Sequence, residues 1–143
     1  MRISEVLRAK GDQVVTIGPA ATVRDLVAVL AEHNIGAVVV ASDSTTVQGI
    51  VSERDVVRRL ADGPEVLDAS VESIMTAEVH SAEPSEPVDS LMRLMTEQRI
   101  RHVPVMIDGS LAGIISIGDV VKSRIGELEF ERDQLTSYVS HAQ

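Results

Sequence analysis

The amino-acid sequence predicts a mixed α/β (α+β) fold, in which two β-α-β-β-α repeats share an interface and a C-terminal helix follows them. The first observation behind this prediction is an internal duplication. The segment GIVSERDVV that begins at Gly49 returns as GIISIGDVV at Gly113, and the apolar residues upstream return at a nearly equal interval. The other two observations are apolar residues at helical spacing and short β-branched runs between turn residues.

Each repeat is predicted to begin with a short apolar strand, a proline turn and an amphipathic helix. In the first repeat the strand runs from Val14 to Ile17 and the turn contains Pro19; in the second the strand lies near Val79 and the turn contains Pro84. Apolar residues then recur at positions 23, 26, 27 and 30, and again at 88, 91, 92 and 95. This spacing is typical of a helix with one buried face.

The helices of both repeats have recognisable starts. Thr22 followed by Asp25 has the spacing of a capping box, and Pro87 in the matching place suits a first helical turn. The second helix of each repeat is predicted to begin at Ser52 and at Ser116.

Two further strands are predicted between the helices of each repeat. They run from Ala37 to Val40, Gly49 to Val51, Val103 to Ile107 and Gly113 to Ile115, with loops at 42–48 and 108–109. The apolar character of these runs is continuous, which predicts strands buried on both faces.

The pattern divides the chain into three parts. Residues 1–69 form the first repeat with a short lead-in, 70–124 form the second repeat, and 125–143 form a C-terminal helical extension. The lead-ins, Ile3 to Leu7 and Val71 to Met75, are similar, and a polar linker is predicted from Ala61 to Ala69. Half of such a pair is small for a stable core, so we expect the two repeats to behave as one domain.

Composition excludes several classes of protein. The 143 residues include no cysteine, which rules out disulfides and thiolate metal sites. The net charge is −9, and only one Phe and one Tyr are present, so nucleic-acid binding is not expected. Four scattered histidines give no metal-site spacing, and no apolar run approaches the roughly 18 residues of a membrane span. The N-terminus has no apolar signal region, and we expect a cytoplasmic protein without membrane association.

The duplicated segments resemble a known signature. GIVSERDVVR and GIISIGDVVK, with NIGAVVV and RIRHVPV upstream and the lead-in VESIMT, look like the cystathionine β-synthase (CBS) domain. The resemblance covers residues 3 to about 125 and is to a tandem CBS pair, or Bateman module, of the free-standing bacterial kind. It implies a pseudo-two-fold regulatory module that binds an adenine nucleotide such as AMP, ADP, ATP, NAD(H) or S-adenosylmethionine between the repeats.

The repeated Ser-x-x-Asp has two physical interpretations. A strand that ends at a serine and enters a helix can offer amide N–H groups and a hydroxyl to a phosphate, and the aspartate can accept from a ribose. The same spacing is also a capping box that binds nothing. The residue pattern alone leaves both open, and the family resemblance favours binding.

The resemblance implies two clefts of unequal charge. The first cleft would combine Ile50, Ser52, Arg54 and Asp55 with Ser81, Arg101, His102 and Pro104. The second would combine Ile114, Ser116, Gly118 and Asp119 with Thr16, Ile35, Gly36 and Ala37. Because arginines and a histidine gather only in the first, we expect it to bind phosphate more strongly.

Three functions are compatible with this pattern. The leading hypothesis is a nucleotide sensor that acts by conformational change on an unidentified protein effector. The alternative is a structural dimerisation or adaptor module with unoccupied clefts. An enzyme is not expected, because the IMP dehydrogenases that contain CBS pairs need a catalytic cysteine and a barrel domain that this sequence lacks, and no catalytic cofactor is implied.

The C-terminal extension carries an apolar stripe. Ile125, Leu128, Leu135 and Val139 follow one another at helical intervals, with Arg132 interrupting the series. Such a stripe must cover another surface. We expect a homodimer that this helix reinforces.

Overall fold

The computed structural model describes residues 1–11, 13–43 and 45–141. The helices are α1 (Ile3–Lys10), α2 (Val23–His33), α3 (Glu53–Leu60), α4 (Val88–Gln98) and α5 (Ile117–His141), and the strands are β1 (Thr16–Ile17), β2 (Ala37–Ala41), β3 (Val47–Ser52), β4 (His102–Ile107) and β5 (Ser110–Ser116). Ser44 of the predicted 42–48 loop and residues 142–143 of the predicted extension lie outside the described residues. The mixed α/β architecture is confirmed, and the first repeat has the predicted β-α-β-β-α order.

The first repeat has a three-stranded sheet in the order β1-β2-β3. β1 runs parallel to β2, and β2 is antiparallel to β3 with Ala37 opposite Ser52. Every residue of β2 is buried, as its apolar sequence predicts. In β3 burial alternates, with Gly49 and Val51 inside and Gln48 exposed, so the prediction of burial on both faces is wrong for this strand.

The second repeat has a smaller sheet, because β4 pairs only with β5 and with one further residue. The strand predicted near Val79 is absent from the described structure; in its place Ala82 forms a single parallel bridge to Val105. The Ala82 N–H donates to the Pro104 carbonyl at 3.0 Å, and the Met106 N–H donates to the Ala82 carbonyl at 2.9 Å. Ala82 is buried while its neighbours Ser81 and Glu83 are exposed, so this segment has one apolar residue to anchor and does not extend into a strand.

The helix starts agree with the predicted boundaries. Thr22 and Asp25 form a reciprocal capping box, with both hydrogen bonds at 3.1 Å. Ser52 caps α3 in the same way. Pro87 stands one position before the first helical turn, as the N-cap of α4, where its extended ψ of 150° suits the entering chain.

Each lead-in packs on the repeat that it does not precede. Ile3 and Val6 of α1 are buried in the core of the second repeat, which includes Leu91. Val71 and Ile74 are buried in the core of the first repeat. Burial of side chains of this size contributes about 1.5–3 kcal/mol each. The exchange therefore ties the two repeats together at both ends.

The linker and the extension are more structured than their sequences predict. A 3₁₀ helix at Pro64–Asp68 crosses the predicted linker, and Val66 and Leu67 pack against the first core. α5 begins at Ile117 and continues through the predicted boundary at 125 without interruption. Within the described residues, no helix combines the length and the apolar character that a membrane crossing requires.

Candidate functional site

A cavity of about 460 Å³ opens between the two repeats. Its volume falls in the range of small-molecule sites. β3 and the start of α3 form one wall, and the residues between α4 and β4 form the other. The cavity therefore depends on both repeats.

Six of the eight residues predicted for the first cleft line this cavity. They are Ile50, Ser52, Arg54, Asp55, Arg101 and His102. Ser81 and Pro104 instead line a neighbouring cavity of about 230 Å³, on the other side of Val79. Ser81 precedes the single bridge between Ala82 and Val105, and Pro104 precedes Val105 on β4.

Gly36 and Ala37, predicted for the second cleft, also line the larger cavity. A Cβ on Gly36 would lie 3.5 Å from Glu53 Oε1 and 3.7 Å from His102 Cε1. Residues of the two repeats thus meet at Gly36. The sequence assigned Gly36 and Ala37 to the second cleft, and the structure places them beside the first corner, where Gly36 is close to Glu53 and His102.

β3 ends at Ser52 and α3 begins at the next residue, so that Ser52 and Asp55 form a corner between strand and helix. This Ser52–Asp55 corner is both a helix cap and part of the cavity lining. Asp55 Oδ2 accepts from the Ser52 N–H at 2.8 Å and from the Ser52 hydroxyl at 3.1 Å, and the Asp55 N–H donates to Ser52 Oγ at 3.3 Å. In the described part of the chain, Asp55 Oδ1 receives no hydrogen bond. One carboxylate oxygen therefore holds the helix start and the other is available to a ligand.

Four arginines give the cavity its positive lining: Arg54, Arg58, Arg99 and Arg101. None of their guanidinium groups forms a hydrogen bond or an ion pair with another described residue. Glu53, Asp55 and Glu78 are the acidic lining residues. The cavity thus has four of the chain's 13 Lys and Arg residues but three of its 22 acidic ones, which favours an anionic ligand in an acidic protein.

Several lining residues were missed by the sequence prediction. Arg58 lies one helical turn after Arg54, and Arg99 lies two residues before Arg101, so both were close to predicted residues. Thr76, Glu78, Val79 and His80 come from the segment after the second lead-in. Their position depends on the exchange of lead-ins, for which the sequence has no local signal.

His102 is half-buried between the repeats. Burial lowers its pKa below the usual 6.5, and the positive charge of Lys10 acts in the same direction, whereas Asp119 and Glu53 oppose the shift. His102 is therefore uncharged at neutral pH. The guanidinium groups supply the fixed positive charge of the cavity.

Aliphatic side chains form the apolar part of the lining. Ile50 and Val79 belong to one wall and Ile100 to the opposite one. No Phe, Tyr or Trp lines the cavity among the described residues. A planar ligand would therefore lie between branched aliphatic side chains.

The second cleft repeats the corner but not its surroundings. Asp119 Oδ2 accepts from the Ser116 N–H at 2.8 Å and from the Ser116 hydroxyl at 2.9 Å. Lys10 Nζ then donates to the same Oδ2 and to the Ile114 carbonyl, both at 2.7 Å. Burial alone would raise the pKa of Asp119, but the hydrogen bonds from Lys10 and Ser116 hold that pKa below its usual value.

The other residues predicted for the second cleft are dispersed. Gly118 belongs to the corner itself, with Ser116 Oγ 3.6 Å from a Cβ added there. Thr16 pairs with Val39 in the first sheet, and Ile35 packs against the first core.

Comparison with known proteins places these features in a family. The CBS domain model matches residues 3–62 and 71–126. The mitochondrial CBS domain-containing protein CBSX3 of Arabidopsis thaliana is 35% identical over 146 residues, which cover 96% of this chain and 71% of that protein. CBSX3 is named for its domains and not for an enzymatic activity.

Two solved structures show the same fold. The CBS-domain containing protein ATU1752 from Agrobacterium tumefaciens superposes with a TM-score of 0.84 at 45% identity, over 87% of this chain and 99% of that one. The CBS domain protein PAE2072 from Pyrobaculum aerophilum, solved in complex with AMP, has a TM-score of 0.74 at 30% identity, over 83% and 89%. The chain belongs to the CBS domain family and consists of a tandem pair of these domains.

Proposed function

We propose that this protein is a regulatory module that binds an adenine nucleotide in the cavity between its repeats. The observation that carries the proposal is the set of four arginines, unpaired among the described residues, beside the Ser52–Asp55 corner. The AMP complex of PAE2072 supports it, because that protein shares the fold at 30% identity.

Different lining residues would contact the adenine, the ribose and the phosphates of the ligand. Ile50, Val79 and Ile100 would hold the adenine. Asp55 Oδ1 would accept from the ribose hydroxyls, since Oδ2 is occupied by the helix cap. The arginines and the N-terminus of α3 would receive the phosphates.

The hydrogen bond of the Ser52 hydroxyl is that of a binding site and not that of a catalytic nucleophile. It donates directly to Asp55 Oδ2 at 3.1 Å, so its partner is a carboxylate and not a histidine base. The corner holds an acceptor in place for a ligand and does not activate a nucleophile.

Regulation would follow from the position of the cavity. Arg54 and Arg58 come from the first repeat, and Arg99 and Arg101 from the second, so an anion between them draws both repeats to one ligand. A ligand of this kind shifts the protein toward the arrangement that it binds better. A protein effector that recognises this arrangement would complete the signal.

The second candidate function is a structural adaptor with empty clefts. The observation that favours it is that both aspartates fold back on their own helix starts. In that case the arginine-lined cavity would bind no nucleotide.

A thermal-shift panel distinguishes these functions. We expect at least one of AMP, ADP, ATP, NADH and S-adenosylmethionine to raise the melting temperature, because a ligand at 100 times its Kd stabilises the folded state by about 2.7 kcal/mol. No shift with any of them at millimolar concentration would favour the adaptor.

A further inference from the structure

We propose that Lys10 closes the second cleft, so that the module binds one nucleotide per chain, in the first cleft. This inference rests on the proposed nucleotide binding. It assigns to Lys10 the role of a specificity-determining residue that distinguishes the two serine–aspartate corners.

Lys10 places its ammonium group directly beside the second corner. Its ammonium group donates to Asp119 Oδ2 and to the Ile114 carbonyl, both at 2.7 Å. Asp119 Oδ2 also accepts two hydrogen bonds from Ser116. Three donors therefore meet Asp119 Oδ2, whereas Asp119 Oδ1 receives no hydrogen bond in the described part of the chain. The second corner differs from the first by the ammonium group beside its carboxylate.

The first cleft has no such contact. Asp55 Oδ2 accepts only from Ser52 among the described residues. Counted from the matching residues Ile3 and Val71, the residue in the place of Lys10 is Glu78. Glu78 lines the open cavity, and its carboxylate has no proton to donate to Asp55 at neutral pH.

The correspondence of the two lead-ins is structural as well as sequential. A Cβ on Gly113 would lie 2.6 Å from Leu7 Cδ2, and one on Gly49 would lie 2.6 Å from Met75 Sδ. Each lead-in therefore packs an apolar side chain against the equivalent glycine of the opposite repeat. Three positions after these side chains stand Lys10, which contacts the second corner, and Glu78, which lines the first cavity.

The lead-ins differ in backbone conformation, and this difference explains the lysine contact. After the second lead-in, Thr76 pairs with Ile50 through two backbone hydrogen bonds of 2.9 and 3.0 Å. The first lead-in continues as α1 to Lys10, and the Gly11 N–H donates to Leu7. Its backbone groups are used within the helix, so a side chain takes the outward carbonyl of Ile114.

The charges at the two corners also favour nucleotide binding in the first cleft. Arg54 of the first corner is replaced by Gly118 in the second. The cation at the second corner is Lys10, and it neutralises Asp119 instead of facing a phosphate. A ribose at this corner would face a carboxylate whose charge Lys10 already neutralises, and we expect this neutralisation to weaken binding at least about tenfold.

Calorimetric titration of the full chain with AMP tests the assignment. We expect one nucleotide per chain for the wild type and for Lys10→Arg, and two for Lys10→Met, the second site gaining at least about tenfold in affinity. Arg8→Met is the matched control, because it removes the same charge from an exposed position of the same helix. Lys10→Gln serves as a second variant, and its melting temperature verifies folding.

The outcomes separate this inference from the proposed function. Two nucleotides per chain in the wild type, or one in both Lys10→Met and Lys10→Gln, would overturn the role of Lys10 and leave nucleotide binding intact. No binding by any variant would overturn both. Return to one nucleotide in Lys10→Met combined with Asp119→Ala would place the gained site at this corner.

Discussion

Among single residues, the aspartate of a serine–aspartate corner can cap a helix and still offer an oxygen to a ligand. The carboxylate of Asp55 uses one oxygen to close the helix start and presents the other to the cavity. The sequence predicted the residues of this corner but left the two interpretations open. Only the cavity beside it, whose lining comes from both repeats, separates Ser52–Asp55 from the purely structural box at Thr22–Asp25.

That comparison gives a matched pair of variants. We expect Asp55→Ala and Asp25→Ala each to lower the free energy of unfolding by about 1 kcal/mol, because each removes one member of a capping box. Asp55→Ala alone should weaken AMP binding about tenfold or more. Denaturant unfolding and calorimetry measure the two effects, and equal AMP affinities for both variants would assign Asp55 to capping only.

The arginines give a second prediction at this scale. Replacing Arg54 and Arg101 by Met should weaken binding of ATP more than binding of adenosine, since only ATP carries phosphates. Arg24, which is exposed on α2 and pairs with Asp68, provides the control variant. Equal losses for the two ligands in fluorescence titrations would show that these arginines do not contact phosphate.

The half-buried His102 predicts a dependence of stability on pH. Its folded-state pKa lies below the usual 6.5, so the unfolded chain binds more protons than the folded chain as the pH falls below that value. Stability contributed by the neutral imidazole is therefore present above pH 6.5 and is lost as the pH falls toward the folded pKa. We expect the free energy of unfolding to change less with pH over this range for His102→Gln than for the wild type or for His33→Gln, the control at an exposed site. Identical curves would contradict the shift.

At the scale of elements, local patterns predicted the helices well and the connections poorly. α2 and α4 have the predicted apolar spacing, and their boundaries agree with the cap and turn residues. The strand near Val79 failed because only Ala82 is buried there, and the linker was misjudged because Val66 and Leu67 find their partners on other elements. Such partners lie far away in sequence, so no local period reports them.

The exchanged lead-ins make the clearest prediction at this scale. Ile3→Ala should lower the free energy of unfolding by about 2–5 kcal/mol, because Ile3 is fully buried in the core of the second repeat. Ile107→Ala, at a position that is 51% exposed, should cost less than about 0.5 kcal/mol. If chemical denaturation gave similar values for both variants, α1 would not belong to that core.

In the whole molecule, the C-terminal half of α5 is left exposed by the other described residues. From Leu128 to His141 every residue is exposed, and an isolated helix of this length is marginal in water. Val121, Ile125, Leu128, Leu135 and Val139 are each about half exposed or more and lie on one stripe of this helix. We propose that the same stripe of a second copy covers it in a homodimer. A parallel pairing would bring Arg124 of one copy toward Glu129 of the other.

Sedimentation at micromolar concentration tests this assembly. Leu128→Asp combined with Leu135→Asp should convert a dimer into a monomer, because each charge would enter the covered stripe. Phe130→Asp is the control, because Phe130 is 65% exposed but lies outside the stripe. A monomeric wild type, or equal dissociation in the control, would contradict the proposed interface.

A crystal structure of this protein grown with AMP would show whether the nucleotide binds in the first cleft. We predict the adenine between Ile50 and Ile100, the ribose on Asp55 and the phosphate among the arginines of the first cleft. An arginine-lined cavity that stays empty at saturating AMP, or a nucleotide bound only at the Asp119 corner, would contradict the account.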